Sequence, residues 1–513
     1  MNEPLLITVR QNKLIRFFCK LLLSLSLVLT LLATDLPFLG QARGLFDTWS
    51  VAEKASLKPI NTTGKRLEPA VSLAGNATVL ASTAGITENS EALTKAEKEI
   101  ENQASQTLWV INDIHHFSPT LFDQGNKFQE MQATSAGLDL RFGLERLQAL
   151  VYQIEQEQPD ALIVAGDLTL NGEYQSMLEL AEAFAKIEQA GTQVFVIPGN
   201  HDISNPWASS FMGDDTIRVD QTLPQDFQTI FADFGYGDAK AQDSASLSYV
   251  AELSKHWQIF MLDSNIYSHT AGLYAPKSQG QLARKTLSWL EQELEVHQTS
   301  GKQALVILHH NSLVHFPSLN QGYTLDNASE LQDLLVAFKL PITLSGHIHA
   351  QHIAQQAITE GFTLTDIATG AFGLYPNRIG IITLSQQAFA YHTTELDMAS
   401  WLQQTQVTDS DLSHYALYSQ NLLTASSHLV AEREIIAHHA YSPEEAAAVL
   451  DLFARMNQAM FSGNLNKQWA TLVASYGELL ERLTHYGNEF FNAYLQDILS
   501  LESEEHQQLN ISW

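Results

Sequence analysis

The chain has 513 residues, of which 45% are hydrophobic and 17% charged. This composition is typical of a globular protein with more than one domain, and it excludes a fibrous or wholly disordered chain. The net charge of −29 repels phosphate backbones over most of the surface, so we expect no stable complex with nucleic acid. Cys19 is the only cysteine, so no intrachain disulfide can form.

The first 42 residues have the order of a secretory signal. Four basic residues between Arg10 and Lys20 precede the apolar run 21–33. Small residues at the inspected positions of Gly40-Gln41-Ala42 predict cleavage after Ala42, whereas extension of the apolar run would make the segment an uncleaved membrane anchor. Both interpretations place the protein outside the cell or on its surface, with membrane contact only through this segment. Residues 43–106 are rich in small and polar residues and are predicted to be a spacer, poorly ordered or partly helical.

Apolar strand patterns end in polar residues five times between residues 107 and 349. Amphipathic helix patterns lie between them, for example from Leu144 to Ile154. Alternating strands and helices predict an α/β fold with a largely parallel sheet, in which the site lies beyond the carboxyl ends of the strands. The polar segments are Asp113-Ile114-His115, Gly166-Asp167, Gly199-Asn200-His201-Asp202, His309-His310 and Gly346-His347-Ile348-His349.

The residue types in these segments suit two adjacent metal ions. A strand extension places Asp113 and His115 on the same side, where they can bind one cation together. The two oxygens of Asp167 can bridge two cations. Mixed nitrogen and oxygen donors favour divalent or trivalent transition metals such as Mn, Fe or Zn over Mg or Ca. The predicted ligands are Asp113, His115, Asp167, Asn200, His309, His347 and His349, and His310 is the alternative to His309.

In this order, the motifs resemble the metal-binding pattern of the calcineurin-like metallophosphoesterases over residues 107–396. The loop 166–172 resembles the branch that contains bacterial cyclic-nucleotide phosphodiesterases, some of them exported and with a helical C-terminal region. The resemblance implies a sandwich of two mixed sheets flanked by helices, instead of one largely parallel sheet. It also implies one metal held by Asp113, His115 and His349, another held by Asn200, His309 and His347, and Asp167 as the bridge.

The resemblance implies a reaction as well. Two cations about 3.5 to 4 Å apart lower the pKa of a shared water and clamp phosphate oxygens, so that a bridging hydroxide attacks phosphorus in line. We predict that His201 protonates the leaving oxygen and that Asp202 orients the His201 ring. The expected substrate is a small phosphate ester such as a nucleotide, and a phosphodiester above all. A phosphomonoesterase or nucleotidase, or a non-catalytic protein of the cell envelope, remains an alternative.

Two further segments have distinct patterns. Residues 205–240 are rich in aromatic residues, which predicts either a helix packed on the sheet or a lid over the site. Beyond residue 396 helical patterns continue as far as Ile498 and predict an all-helical C-terminal domain at 397–513, with a strong helix start at Ser442-Pro443. We expect its apolar face to pack on the catalytic domain, and a partner in the cell envelope is the alternative.

Overall fold

The structure is a computed structural model that describes residues 105–267, 272–273, 275–438, 440–486, 489–501 and 505–512. The predicted signal or anchor at 1–42 lies outside the described residues, as does the predicted spacer up to residue 104. Within these described ranges, no helix combines the length and the apolar composition that crossing a bilayer requires.

One sheet has six strands. Its strands are β1 (Gln106–Ile111), β2 (Ala161–Ala165), β3 (Gln193–Ile197), β13 (Arg378–Leu384), β14 (Ala388–Glu395) and β15 (Gln508–Ser512). Their order across the sheet is β15-β14-β13-β1-β2-β3. Strands β1, β2 and β3 are parallel, and the other three are added in antiparallel fashion at one side. In this sheet, the parallel strands are therefore the three that carry predicted ligands.

The other large sheet has seven strands. They are β6 (Ala241–Gln242), β7 (Tyr249–Glu252), β8 (Trp257–Leu262), β9 (Gln303–Leu308), β10 (Ile342–Ser345), β11 (His352–Thr359) and β12 (Phe362–Ala368), in the order β11-β12-β10-β9-β8-β7-β6. The central strands β8, β9, β10 and β12 are parallel, and both edges are antiparallel. Two mixed sheets confirm the architecture that the resemblance implies and correct the largely parallel sheet that the strand pattern predicts.

Helices flank the sheets and make up most of the C-terminal region. In chain order they are α1 (Asn126–Thr134), α2 (Gly143–Glu157), α3 (Tyr174–Gln189), α4 (Pro224–Ile230), α5 (Arg284–Ser300), α6 (Ala328–Phe338), α7 (Met398–Gln404), α8 (Ser410–Ser413), α9 (Tyr415–Glu434), α10 (Pro443–Phe461), α11 (Leu465–Tyr486) and α12 (Glu489–Ser500). Short 3-10 helices span Pro119–Leu121, Pro317–Leu319 and Ile436–His438, a π-helical turn spans Ala232–Tyr236, and a hairpin joins β4 (Ser209–Met212) to β5 (Asp215–Arg218).

The side chains of β9 show how the sheets are packed. Leu305 and Ile307 belong to the large core that also contains strands of the six-stranded sheet. Val306 and Leu308 point to the opposite side, into a second core that includes Leu290 of α5. Because successive side chains of a strand face opposite ways, β9 is buried on both faces. The carboxyl end of β9, which precedes His309, is thereby fixed by packing on two sides.

The aromatic segment 205–240 packs on the protein and confirms the packing interpretation. Phe211, Phe227, Phe231 and Phe234 are buried, and the rings of Phe231 and Phe234 lie 6.1 and 5.8 Å from the ring of Phe184. These side chains are therefore part of the core and are not free to stack on a ligand.

The C-terminal region is helical from Met398 to Ser500, but it is not all-helical. Strand β15 returns to the six-stranded sheet and pairs with β14. The prediction of an all-helical domain is therefore wrong for residues 508–512 and holds for the helical region before them. Half-buried Leu509 and Ile511 alternate with exposed Gln508 and Asn510, which is the two-residue period of a strand at a sheet edge. Strand β15 has only five residues, which are too few for a two-residue period to be recognised in the sequence after a long helical region.

Candidate metal centre

The predicted metal ligands lie on loops that follow five parallel strands of the two sheets. These loops meet at one end of the sandwich because the carboxyl ends of parallel strands point the same way. Asp113 and His115 follow β1, Asp167 follows β2, Asn200 follows β3, His309 follows β9, and His347 and His349 follow β10. The structure thus brings together all seven residues that the sequence singles out.

Potential ligand atoms form two clusters that share Asp167. One cluster contains Asp113, His115, Asp167 and His349, and its ligand atoms lie within 4.8 Å of one another. His115 Nε2 and His349 Nε2 are 3.2 Å apart, and His349 Nε2 is 3.5 Å from Asp113 Oδ1. Such spacings suit atoms that share one transition-metal ion, because metal bonds of about 2.0 to 2.2 Å hold ligand atoms about 3 to 4 Å apart.

The second cluster contains Asp167, His309 and His347. Asp167 Oδ2 lies 3.2 Å from His309 Nε2, and Asn200 Oδ1 lies 3.1 Å from the same nitrogen. Asn200 is therefore placed to add a neutral oxygen donor to this cluster. The two groups reproduce the division of ligands that the family resemblance implies, and Asp167 is the residue that they have in common.

Backbone carbonyls determine which ring nitrogens face the clusters. His309 Nδ1 donates to the carbonyl of Ala165 at 2.9 Å, which leaves Nε2 for a metal. His347 Nε2 donates to the carbonyl of Gly322 at 2.7 Å, which leaves Nδ1. Such outer hydrogen bonds fix the tautomer and the orientation of a metal-binding imidazole.

His310 is excluded as the alternative ligand. Its Nδ1 contacts Ser264 Oγ at 2.8 Å, and its Nε2 contacts the carbonyl of Ser278 at 3.0 Å. Both ring nitrogens are thus engaged away from the clusters, and His309 is the strand-terminal histidine that faces them.

Backbone strain is concentrated at this site. Five of the ten non-glycine residues with positive φ in the described ranges are predicted ligands. A left-handed conformation costs a residue with a side chain about 1 to 3 kcal/mol and persists only where the surroundings enforce it. The five are Asp113 (φ 49°), His115 (45°), Asp167 (50°), His347 (69°) and His349 (59°).

The glycines of the motifs allow the loops to approach one another closely. Gly166 has φ 90°, and a Cβ there would lie 2.4 Å from His309 Nδ1. A Cβ on Gly199 would lie 2.1 Å from the backbone nitrogen of Asp167. Only glycine permits these contacts, which explains why a glycine precedes Asp167 and Asn200 in the sequence.

The electrostatics of the clusters fit a bound cation. Burial lowers the pKa of His115 to about 3 and that of His347 to about 4, so both rings are neutral and offer lone pairs. Burial also disfavours a charge on His309, but the Asp167 carboxylate outweighs it and raises the pKa of His309 to about 9. The buried carboxylates therefore favour positive charge at the clusters. A bound metal ion would supply this charge and displace the proton from His309.

His201 lies at the solvent side of the clusters. Its backbone nitrogen donates to Asp167 Oδ1 at 2.9 Å, and its ring Nδ1 donates to the carbonyl of Leu170 at 2.7 Å. Its Nε2 lies 4.0 Å from Asp167 Oδ2, and the side chain is 21% exposed. The ring therefore presents Nε2 to the place where a substrate would reach the clusters.

Asp202 does not orient the His201 ring, and that prediction is wrong. Asp202 Oδ2 accepts hydrogen bonds from the backbone nitrogens of Gly199 (2.8 Å) and Leu168 (3.0 Å), and Oδ1 accepts one from Thr169 (3.0 Å). Adjacent residues in this turn point apart, so the Leu170 carbonyl takes the orienting role. Asp202 instead joins the Asp167 loop to the Asn200 loop, and burial together with Asp167 raises its pKa to about 6.

Glu173 is a buried acid beside the site that no motif of the sequence marks. Its Oε2 accepts a hydrogen bond from the backbone nitrogen of Asn171 at 2.9 Å, and burial raises its pKa from 4.5 to about 8. Between these pH values the folded protein holds a proton that the unfolded chain has lost. The contribution of Glu173 to the free energy of unfolding therefore falls as the pH rises, by up to about 1.4 kcal/mol per pH unit.

We expect Glu173→Gln, which resembles the protonated acid, to remove this part of the pH dependence. At pH 8 the variant should be more stable than the wild type by on the order of 2 to 4 kcal/mol, and the difference should vanish near pH 4.5. Urea unfolding at several pH values measures it, with exposed Glu182→Gln of helix α3 as the control. A constant difference across this pH range would show that Glu173 is already ionised in the folded protein.

A two-sheet α/β sandwich whose strand ends present clustered histidine and aspartate side chains is typical of metal-dependent hydrolases. The sequence also matches two family patterns. Residues 106–351 match calcineurin-like phosphoesterase, and residues 397–504 match the C-terminal domain of cyclic nucleotide phosphodiesterase. The chain therefore has a calcineurin-like phosphoesterase domain, the domain of a family of phosphoric ester hydrolases, followed by this helical C-terminal domain.

Individual relatives are distant. A Psychrobacter arcticus protein named "Probable cyclic nucleotide phosphodiesterase" is 25% identical over 37% of this chain and 57% of its own length. The 3′,5′-cyclic adenosine monophosphate phosphodiesterase CpdA of Haemophilus influenzae is 23% identical over 44% of this chain and 66% of its own length. The match thus spans less than two thirds of the length of each of these two relatives. A dimetal phosphatase from Danio rerio aligns with 56% of this chain and 96% of its own, at 14% identity and a TM-score of 0.39, which adds nothing to the family assignment.

Proposed function

We propose that the protein hydrolyses phosphodiesters with two bound transition-metal ions, and that 3′,5′-cyclic nucleotides are among its substrates. The observation that carries this proposal is the pair of ligand clusters with Asp167 in common. The names of the relatives and of the C-terminal family support a diester substrate.

Each side chain of the site has a separate role in the proposed reaction. Two cations bound at the clusters would supply an activated nucleophile and offset the negative charge of the phosphate. Asp167 would hold both positions at a fixed separation, and Asn200 would add a neutral donor to one of them. His201 Nε2 would give a proton to the leaving oxygen, while the Leu170 carbonyl stabilises the charged ring through Nδ1.

The donor set favours Mn, Fe or Zn. Imidazole nitrogens suit these transition metals, whereas Mg and Ca prefer shells of oxygen alone. Four of the seven predicted ligands are histidines, namely His115, His309, His347 and His349.

We also propose that the protein is exported. The basic residues followed by the apolar run 21–33 support a signal peptide or an anchor. Membrane contact would then be limited to this segment, and the substrate would be a diester outside the cell. Export therefore makes extracellular nucleotides a more accessible substrate than the intracellular pool.

Hydrolysis by the chain from Arg43 onward tests the proposed activity. The protein is stripped of metal and assayed with bis(p-nitrophenyl) phosphate, with 3′,5′-cyclic AMP and with the monoester p-nitrophenyl phosphate, before and after addition of Mn²⁺. We expect Mn²⁺-dependent cleavage of both diesters and slower cleavage of the monoester. Preference for the monoester would favour a phosphatase or nucleotidase, and inactivity with two metals bound would favour the non-catalytic alternative.

A further inference from the structure

The C-terminal helical domain reaches the loops that carry the metal ligands at two separate places. One contact leads from helix α9 to the turn that contains Asp113 and His115. The other leads from helix α12 to the carbonyl that orients His347. Neither contact touches a ligand atom itself, so both act through the loop that holds the ligand.

The first contact begins at Ile114, which lies between two ligands that both have left-handed backbone conformations. The carbonyl of Ile114 accepts a hydrogen bond from Arg146 Nη2 at 3.2 Å. Arg146 is fully buried in helix α2, and its Nη1 lies 2.5 Å from Asp139 Oδ2. A buried guanidinium requires a carboxylate partner, so Asp139 determines where Arg146 can point.

Tyr415 of helix α9 completes this first contact from the helical domain. Its hydroxyl donates to Asp139 Oδ2 at 3.1 Å, and the side chain is buried. The backbone of Asp139 also donates to the Gly373 carbonyl at 3.0 Å, and Gly373 N donates to the Asp113 carbonyl at 2.9 Å. Asp139 is therefore connected to both sides of the strained ligand turn, and Tyr415 holds its carboxylate from outside the catalytic domain.

The second contact concerns the loop that contains Gly322. Its carbonyl accepts from His347 Nε2 and so fixes which nitrogen of His347 faces the cluster. The same loop begins at the 3-10 helix Pro317–Leu319, where the backbone nitrogen of Ser318 donates to Asp497 Oδ2 at 2.7 Å. Asp497 belongs to helix α12 and is only 8% exposed. A buried charge-assisted hydrogen bond is stronger than a neutral one, so it fixes this end of the loop to the helical domain.

We propose that the helical domain positions the metal ligands, with Tyr415 as the positioning residue for the Asp113–His115 turn and Asp497 as the one for His347. The inference rests on the proposed function only through the two metal ions. The two contacts serve different clusters, because Asp113 and His115 belong to one cluster and His347 to the other. Loss of either contact should therefore lower the affinity for one metal ion more than the affinity for the other.

The test measures Mn²⁺ binding to the full chain by isothermal titration calorimetry. Tyr415→Phe should weaken one of the two binding steps and Asp497→Ala the other, each by about tenfold, as is usual when a group behind a metal ligand is removed. The double variant should weaken both steps. Asp497→Asn keeps a hydrogen-bond acceptor and should restore most of the affinity lost in Asp497→Ala.

Ser427→Ala is the matched control for lost stability. Ser427 is buried in helix α9, and its hydroxyl accepts from Asn457 Nδ2 at 3.1 Å within the helical domain. The control should lower the melting temperature of the chelator-treated protein and leave both Mn²⁺ affinities unchanged. If Tyr415→Phe and Asp497→Ala behave like Ser427→Ala, the helical domain only stabilises the fold and the inference fails.

Failure of the inference can be told apart from failure of the proposed function. A wild type that binds two Mn²⁺ ions but cleaves no phosphodiester overturns the function, while the affinities of the variants still decide the positioning role. Full activity with unchanged affinities in the variants overturns the positioning role alone. A wild type that binds neither Mn²⁺ nor Zn²⁺ nor Fe²⁺ overturns both.

Discussion

Replacement of Asp167 by asparagine is expected to abolish stable binding of both metal ions and to lower kcat/KM by at least about 10³-fold. Asp167 is the one residue common to the two ligand clusters, and its Oδ2 lies 3.2 Å from His309 Nε2 and 3.8 Å from His115 Nε2. Asparagine keeps the shape but has no negative charge to share between two cations. A loss of this size corresponds to about 4 kcal/mol of transition-state stabilisation. Metal content after dialysis and steady-state kinetics measure the two effects.

Asp263→Asn is the control for this variant. Asp263 is also a buried aspartate that follows a strand, β8, but it belongs to neither cluster, and its Oδ2 accepts from the backbone nitrogen of Leu247 at 3.0 Å. It should alter stability and leave metal content as in the wild type. Retention of both metals by Asp167→Asn at wild-type affinity would show that Asp167 does not bridge them.

The strand patterns of the sequence locate the metal centre because each ligand segment directly follows a buried strand. The parallel strands β1, β2 and β3 appear as uninterrupted apolar runs, and such runs are easy to recognise. The antiparallel strands at the sheet edges have weaker patterns. Strand β15 is the extreme case, since only half-buried Leu509 and Ile511 distinguish it from the helical region before it. The prediction that both sheets are mixed therefore rested on the family resemblance and not on the periodicity of the sequence.

Within the site, side-chain chemistry could be predicted and backbone chemistry could not. Asp167 and His309 are recognisable because few residue types bind metals. The carbonyls of Ala165, Leu170 and Gly322 orient His309, His201 and His347, yet every residue has a carbonyl and none of these positions is marked in the sequence. The mistaken role of Asp202 has the same origin, because the sequence shows that it adjoins His201 but not that the two side chains point apart.

His201→Ala is expected to lower kcat by about 10²- to 10⁴-fold while both metals stay bound, which is the usual loss when a general acid is removed. His201 contributes its backbone nitrogen to Asp167, and any residue retains that contact. The lost imidazole should matter most for substrates whose leaving oxygen is strongly basic. The fall should therefore be large for 3′,5′-cyclic AMP, whose leaving group is an alkoxide, and small for bis(p-nitrophenyl) phosphate, whose leaving group is stable without a proton.

His201→Gln separates proton donation from a purely structural role. Glutamine can still donate a hydrogen bond to the Leu170 carbonyl, which His201 Nδ1 contacts at 2.7 Å, but it cannot release a proton at neutral pH. If His201 acts as the acid, both variants lose the same activity towards cyclic AMP and retain the metal content of the wild type. Recovery in the glutamine variant would mean that the ring only supports the loop. Loss of metal from either variant would instead show that His201 helps to hold the ions. Because His201 lies close to Asp167, the metal content of both variants is the measurement that decides between these roles.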